Sequence, residues 1–165
     1  MAQKITPAER TSFDIYKFIV ALLLPFAAGA IGSLTTNSEI TTWYAGIDKP
    51  SFNPPNWVFG PVWSCLYLLQ GIAFYLVLNQ PRKRRTAAVG LFIAQLVVNT
   101  AWSLLFFGAH APSWALVDIV VLWSLIVATM FSFGTIRPLA AKLLIPYLAW
   151  VTFATALNIG IIVLN

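Results

Sequence analysis

Five long runs of apolar residues, separated by short polar or proline-containing segments, dominate the pattern of this chain. An α-helix needs about 20 mostly apolar residues to cross the hydrocarbon core of a bilayer. Charged residues, prolines and glycines mark the ends of the runs. We predict membrane-spanning helices over residues 16–34, 56–79, 86–107, 113–133 and 139–163. The predicted fold is an all-α bundle of five transmembrane helices, which forms a single domain over residues 1–165.

Turn-forming residues set the ends of several predicted helices. Pro54 and Pro55 favour an extended chain, so the second span is expected to begin at Asn56. Before the fourth span, Pro112 breaks the chain, and Ser113 is a residue type that commonly caps a helix N-terminus. We therefore expect Ser113 to cap the fourth helix.

The composition is that of a membrane protein. Hydrophobic residues make up 59% of the chain and charged residues only 9%, whereas soluble domains contain about 25% charged residues. The first 17 residues carry several charges and no apolar core, so we do not expect a cleaved signal peptide. The single cysteine, Cys65, cannot form an internal disulfide.

Lysine and arginine fall almost entirely on one side of the predicted bundle. The N-terminal tail and the loops after the second and fourth spans carry nine of the ten basic residues, and the opposite side carries only Lys49. By the positive-inside rule, we expect a multi-pass protein with a cytoplasmic N-terminus and its C-terminus on the opposite face. The basic run at 82–85 is then a topology signal and a contact for lipid headgroups, and we expect no nucleic-acid binding.

An aromatic and proline-rich stretch at residues 43–67 leads into the second span from the side of Lys49, which we call the outer side. It contains three Trp, two Tyr, two Phe and four Pro. Phe59, Trp63 and Tyr67 follow at the i, i+4, i+8 spacing of one helix face. This composition is typical of the lid and wall of an apolar ligand site.

Polar and aromatic residues of the other spans also fall in the outer half of the bundle. They are Asn99 and Trp102 in the third span, Trp114 and Asp118 in the fourth, and Trp150, Ala154 and Asn158 in the fifth. The inner half consists mainly of Leu, Ile, Val, Phe and Ala. We predict a ligand pocket in the outer half, roofed by the loop at residues 43–55.

Structural roles would explain some of these residues equally well. Trp43 and Trp114 are expected in the interfacial aromatic belt of any membrane protein. Asp118 is the only acid within a span, and either a clamp between helices or a ligand contact would account for it. Asn99 and Asn158 are more often interhelical hydrogen-bond partners than ligand contacts.

Signatures of conventional enzymes are absent from the sequence. One histidine, His110, and one cysteine provide no cluster of metal ligands. The sequence has no phosphate-binding loop and no dinucleotide-binding glycine motif. We expect no metal site, no required cofactor and no hydrolytic activity. Photochemistry through tryptophan needs no general acid or base and is compatible with the sequence.

Several motifs, in the same order, resemble the TspO/MBR family of tryptophan-rich sensory proteins and translocator proteins, which includes the peripheral-type benzodiazepine receptor. Residues 43–67 read WYAGIDKPSFNPPNWVFGPVWSCLY, residues 99–108 read NTAWSLLFFG, residues 114–118 read WALVD and residues 146–158 read PYLAWVTFATALN. The resemblance covers most of the chain. It implies a five-helix bundle, usually a homodimer, with one pocket closed by the first loop.

The resemblance also implies ligands and a function. Family ligands are porphyrins such as protoporphyrin IX, benzodiazepine- and isoquinoline-type drugs and, in some members, cholesterol. The expected function is that of a membrane receptor or sensor for tetrapyrroles and related apolar ligands. Two alternatives are a porphyrin or sterol transporter, and an enzyme that degrades porphyrin in light through Trp63 and Trp150. Metal-free porphyrin is favoured over haem, because His110 lies in a short loop.

Site residues follow by position from the same resemblance. The implied pocket wall is formed by Trp43, Phe59, Trp63, Asn99, Trp102, Trp114, Ala154 and Leu157, with Trp150 nearby. We add Tyr67 and Asp118 as further ligand-binding candidates from their depth in the bundle. Lys49, the only basic residue on the outer side, is expected to pair with a porphyrin propionate.

Small residues on the third span form a candidate dimer interface. Gly90 and Ala94 make a small-xxx-small pair, and Ala87 lies on the same face. Packing within one bundle would use the same residue types. The homodimer implied by the resemblance favours an interface between two copies.

The fifth span departs from the animal members of that family. Those members carry a cholesterol pattern with Tyr and a basic residue at its end, whereas residues 154–165 read ATALNIGIIVLN. Cholesterol binding is therefore not expected there. Helical spans favour a bacterial inner membrane, while the resemblance also implies outer membranes of bacteria and mitochondria.

Overall fold

The computed structural model describes residues 13–165, without the side chain of Arg84. Residues 1–12 of the N-terminal tail lie outside the described residues. That tail carries Lys4 and Arg10, which contributed to the predicted orientation, and most of the segment on which the argument against a signal peptide rests.

Within residues 13–165, five helices are long and apolar enough to cross a membrane, which confirms the predicted bundle. A short 3₁₀ turn, Asn56–Val58, leads into the second long helix, and a π-helical segment, Leu104–Gly108, ends the third. The α-helices are α1 Ile15–Glu39, α2 Trp43–Gly46, α3 Phe59–Leu78, α4 Arg82–Ser103, α5 Pro112–Ile136, α6 Pro138–Leu143 and α7 Ile145–Leu164. We call the end that carries α2 the outer end and the opposite end the inner end.

The helix starts have local causes. Asp14 caps α1: its carboxylate accepts a hydrogen bond from the Lys17 backbone N–H at 3.2 Å and pairs with Lys17 Nζ at 2.8 Å. The hydrogen bond from Lys17 lowers the pKa of Asp14. The prediction that Ser113 caps the fourth span was wrong, because Ala111 occupies the cap position and Pro112 begins the helix. Proline suits that first position, where a backbone N–H would have no partner within the helix.

The fifth span is interrupted where the sequence predicted one continuous helix. α6 ends at Leu143 and α7 begins at Ile145. The Leu144 N–H donates to the carbonyl of Ala141 at 3.1 Å, which is a tightened turn. Pro146, in the first turn of α7, has no N–H to continue the ladder of α6. The chain therefore divides into two segments at this point.

The interior is packed in three layers. Phe74, Phe92 and Phe133 belong to the cluster at the inner end. Leu122, Ile126 and Tyr147 belong to the middle cluster, and Tyr44, Phe106 and Phe107 to the outer one. Small residues let the helices approach closely: a Cβ at Gly71 of α3 would lie 2.9 Å from the Leu22 Cα of α1. α1 therefore packs directly against the backbone of α3.

Candidate ligand-binding cavity

A cavity of about 560 Å³ lies in the outer half of the bundle, bounded by the five long helices and α2. Ten aromatic side chains line it: Phe26, Tyr44, Trp57, Phe59, Trp63, Tyr67, Trp102, Phe106, Phe107 and Trp150. A cavity of this size with a mostly aromatic and aliphatic wall has the properties of a small-molecule site.

Two helix faces with i, i+4, i+8 spacing form adjoining parts of the wall. The residues are Phe59, Trp63 and Tyr67 on α3, and Trp150, Ala154 and Asn158 on α7. The two faces meet at the Phe59 and Trp150 rings, whose centroids are 5.9 Å apart with a near-perpendicular arrangement. Leu157 of α7 also lines the cavity.

Asn158 connects three helices behind this wall. Its Oδ1 accepts a hydrogen bond from Trp102 Nε1 at 3.3 Å, and its Nδ2 donates to the Pro112 carbonyl at 2.9 Å. The side chain is only 1% exposed. Asn158 therefore orients the Trp102 indole and joins α4, α7 and the start of α5.

The π-helical segment shapes the outer wall. The Ala109 N–H donates to the Leu104 carbonyl at 2.8 Å, which closes the wider turn. This turn brings Phe106 and Phe107 to the cavity. Phe106 stacks on Trp102 with ring centroids 4.9 Å apart and an interplanar angle of 18°.

α1 contributes a thin wall of small and polar residues. Gly29, Ala30 and Ser33 line the cavity, and the Tyr67 ring lies where a side chain at Gly29 would project. Lining residues on this side are exposed at the protein surface, among them Ala30 and, from the 3₁₀ turn, Trp57. The cavity thus reaches the surface between α1 and the start of α3.

The loop between α1 and α3 covers the outer end of the cavity. Tyr44 lines the cavity, and its hydroxyl donates to Asn53 Oδ1 at 3.0 Å. Burial raises the pKa of the Tyr44 phenol. The Lys49 ammonium lies 4.8 Å from the Tyr44 ring centroid and donates to the Ile47 carbonyl at 2.8 Å. These contacts hold the loop folded over the cavity.

Two contacts fasten this loop to neighbouring segments. Trp43 stacks on His110 with centroids 4.5 Å apart, and His110 Nε2 lies 3.1 Å from Glu39 Oε2. At the other end of the loop, the Asp48 backbone exchanges hydrogen bonds of 3.0 Å with the Asn165 side-chain amide. The loop is therefore tied to the α4–α5 connection and to the end of α7.

Comparison with known proteins agrees with this architecture. The model of the TspO/MBR family matches residues 21–164. The chain is 44% identical over 154 residues to a tryptophan-rich protein TspO of Chlorobaculum tepidum, covering 92% of this chain and 98% of that protein. It is 43% identical over 139 residues to the human translocator protein, covering 82% of each chain. A tryptophan-rich sensory protein of Cereibacter sphaeroides is 37% identical over 147 residues, covering 88% of this chain and 92% of that protein.

The chain belongs to the TspO/MBR family. It is a membrane protein of that family, as its five apolar helices independently indicate.

The structure of this TspO/MBR protein brings most of the proposed site residues to one cavity. Those that line it are Phe59, Trp63, Tyr67, Asn99, Trp102, Trp150, Ala154 and Leu157. They come from three helices that are distant in sequence, so their meeting at one cavity is a property of the fold.

Four other candidates do not line the cavity. Trp43 packs behind the wall against His110 and Phe106. Lys49 is held on the loop. Trp114 is 67% exposed on the outside of α5, where an interfacial belt residue is expected. Asp118 is half-buried, one position before the lining residue Ile119, and its Oδ2 has no hydrogen-bond partner among the described residues.

Sequence reasoning missed several lining residues. Phe26, Ser33 and Asn37 belong to α1, a helix for which the sequence suggested no site residue. Phe106 and Phe107 lie within the NTAWSLLFFG motif, which was the available signal for them. Their direction depends on the π-helical turn, which regular helical spacing does not predict.

Within residues 13–165, no group of three His, Cys, Asp or Glu side chains is arranged to hold a metal ion. The chemistry that the cavity offers is contact with flat apolar surfaces, together with a few hydrogen-bonding amides and hydroxyls.

Proposed function

We propose that this TspO/MBR protein is an integral membrane receptor that binds tetrapyrroles such as protoporphyrin IX, and related apolar ligands. The observation that carries the proposal is the 560 Å³ cavity with its aromatic wall. Aromatic rings bind flat conjugated ligands by stacking and by edge contacts. Trp63, Trp102 and Trp150 supply three such rings.

Polar residues at the rim of the cavity support a porphyrin in particular. Ser33 and Asn37 of α1 and Asn56 of the 3₁₀ turn line the cavity, and both asparagines are exposed. Their side chains can donate hydrogen bonds to propionates that project from the cavity, while the macrocycle remains in the apolar part. A basic partner for a propionate remains proposed at Lys49, which would have to leave the Ile47 carbonyl.

Fluorescence titration with protoporphyrin IX tests the proposal. Losing one aromatic partner costs about 0.5–1.5 kcal/mol, so Trp63→Leu should weaken binding severalfold, up to about tenfold. Trp123 is the matched control: it does not line the cavity, and its indole N–H donates to Thr152 Oγ1 at 2.9 Å. Equal affinities of Trp63→Leu and Trp123→Phe for protoporphyrin IX would contradict the proposed site.

Light-dependent degradation of porphyrin is a second candidate function. It is favoured by the presence of both Trp63 and Trp150 in the same cavity wall. Incubation with protoporphyrin IX in light and in darkness separates binding from chemistry. A light-dependent product that disappears in Trp63→Phe and Trp150→Phe would support degradation, whereas unchanged porphyrin in the light would leave binding alone.

Transport of a porphyrin or a sterol is less well supported, because phenylalanine rings fill the inner half of the bundle. Inward passage would have to cross the stacked rings of Phe74 and Phe92, whose centroids are 4.1 Å apart. Phe133 extends this layer, with its ring 5.8 Å from Phe92. Uptake of protoporphyrin IX into sealed proteoliposomes would be the evidence for transport.

A homodimer through α4 is proposed for the intact protein. Ala87 and Gly90 are exposed, and Ala94 is half-buried. Among the described residues, no atom outside the neighbouring backbone of α4 lies within 4 Å of a Cβ placed at Gly90. Val97, one turn beyond Ala94, is 63% exposed. This face of α4 is free within the bundle and can pack closely against a second copy.

A further inference from the structure

Four buried side-chain polar atoms have no hydrogen-bond partner within residues 13–165. They are Gln70 Nε2, Gln95 Oε1, Asp118 Oδ2 and Tyr147 Oη. An unpaired buried polar group destabilises a folded protein. These atoms therefore offer hydrogen-bonding capacity to a bound molecule.

Two of the four atoms belong to one incomplete amide pair between α3 and α4. Gln95 Nε2 donates to Gln70 Oε1 at 3.2 Å, and the two side chains are 1% and 0% exposed. The Gln70 Nε2 amide group and the Gln95 Oε1 oxygen have no hydrogen-bond partner among the described residues. Exchanging the nitrogen and oxygen positions in both amides reverses the direction of the hydrogen bond. One amide donor group and one amide oxygen still lack a partner. Two glutamines that only joined the helices would instead exchange two hydrogen bonds, one in each direction.

This amide pair lies directly inward of the cavity. Gln70 follows the lining residue Tyr67 by about one turn of α3, and Gln95 precedes the lining residue Asn99 by about one turn of α4. At 1.5 Å per residue, the pair is about 5–6 Å below the cavity floor. Because residues one turn apart share a helix face, both glutamines face the same interior column as the cavity.

A third unpaired atom lies near the same floor. The Tyr147 side chain is 1% exposed, and Tyr147 lies about one turn inward of Val151, which lines the cavity. Its ring packs against Trp63 of the cavity wall, with centroids 6.2 Å apart. Asp118 is not part of this floor, because Leu122, one turn further inward on α5, also lines the cavity.

An aromatic layer closes this region on its inner side. Phe74 lies one turn inward of Gln70, and Phe92 lies one turn inward of Gln95. Their rings stack at 4.1 Å with an interplanar angle of 11°, and both are almost fully buried. The unpaired atoms of Gln70, Gln95 and Tyr147 therefore occupy a polar band between the aromatic cavity and an apolar phenylalanine layer.

We propose that this band is a second, polar binding site, in which Gln70, Gln95 and Tyr147 hold a small group of ordered water molecules beneath the cavity. Buried water typically makes about three hydrogen bonds to otherwise unpaired groups, and the band offers both donors and acceptors. The site goes beyond the proposed ligand cavity. It gives the floor of that cavity hydrogen-bonding capacity that its aromatic wall lacks.

Radiolytic hydroxyl labelling of the ligand-free protein in lipid nanodiscs, in water enriched in oxygen-18, tests the site. Each residue is compared with its own labelling rate in the denatured chain. Tyr147 should be labelled many times faster than Phe74 and Phe92, which are equally buried but dry. Tyr16, which is 81% exposed, serves as the positive control. Labelling of Tyr147 as slow as that of Phe92 would overturn the proposal.

The double variant Gln70→Leu, Gln95→Leu provides a second measurement. If the glutamines hold water, Tyr147 labelling should fall severalfold in this variant. Thr129→Val is the matched control, because the Thr129 hydroxyl is 1% exposed but already donates to the Leu125 carbonyl at 2.7 Å. Unchanged Tyr147 labelling in the double variant would refute a shared site. Neither measurement uses a porphyrin, so both are independent of the proposed ligand.

Discussion

At the scale of single residues, the bundle contains two kinds of buried amide side chain. Some have hydrogen-bond partners for both the nitrogen and the oxygen, and others have a partner for only one. Asn158 uses both ends of its amide, toward Trp102 and toward the Pro112 carbonyl. Gln70 and Gln95 share one hydrogen bond, and two of their polar atoms have no partner in the described part of the chain. The first arrangement fixes a wall residue of the cavity, whereas the second is open to a bound partner.

Removal of the Asn158 amide should lower thermal stability. Interhelical hydrogen bonds of this kind contribute about 0.6–2 kcal/mol in membrane proteins. Asn158→Ala should therefore melt several degrees below the wild type and also weaken protoporphyrin IX binding, because the Trp102 indole loses its acceptor. Asn37→Ala is the control for stability, since Asn37 is exposed on α1. Equal melting temperatures for the two variants would show that the Asn158 bonds carry no net stability.

The proposed contact between Lys49 and a propionate needs its own test, because the Lys49 ammonium already has partners within the loop. A direct bond to a propionate predicts that Lys49→Gln weakens protoporphyrin IX binding. The same variant should leave binding of the dimethyl ester unchanged, because the ester carries no propionate charge. A role confined to the loop, through Ile47 and the Tyr44 ring, predicts equal losses for both ligands. Parallel titrations of the acid and the ester therefore distinguish the two roles.

At the scale of helices, α4 has two functions on two faces. Asn99 and Trp102 point to the cavity, while Gly90 and Val97 lie on an exposed face. The π-helical segment that follows α4 changes the register, so Phe106 and Phe107 return to the cavity side. The helix can therefore build the site and still offer a free face to a second copy.

Gly90→Leu tests the dimer proposed on that face. A leucine there keeps the helix apolar but prevents close backbone approach, so the variant should elute as a monomer in mild detergent. Ile93→Leu is the control, since Ile93 is also an exposed residue of α4 but its volume does not change. A Gly90→Leu protein that remains dimeric would place the interface elsewhere. Multi-angle light scattering gives the mass of the protein component.

At the scale of the whole molecule, the number of spans was predictable because bilayer thickness sets the length of an apolar run. The cavity faces of α3 and α7 were predictable because regular helices repeat every 3.6 residues. The break at Leu144 and the π-helical turn at Leu104–Gly108 were not. These features depend on backbone irregularities and on how each helix is rotated by its neighbours, which a single sequence does not specify.

The orientation of the bundle remains a proposal that charge supports. Six basic residues with described side chains lie at the inner end: Lys17, Arg82, Lys83, Arg85, Arg137 and Lys142. Lys49 lies at the outer end, so the positive-inside rule places the cavity opposite the cytoplasm. With Cys65 replaced by serine, Ser51→Cys on the outer loop should react with a membrane-impermeant maleimide in intact spheroplasts. Gln80→Cys at the inner end should react only after permeabilisation. The reverse pattern would place the cavity on the cytoplasmic side, where its ligands would have to arrive from the cell interior.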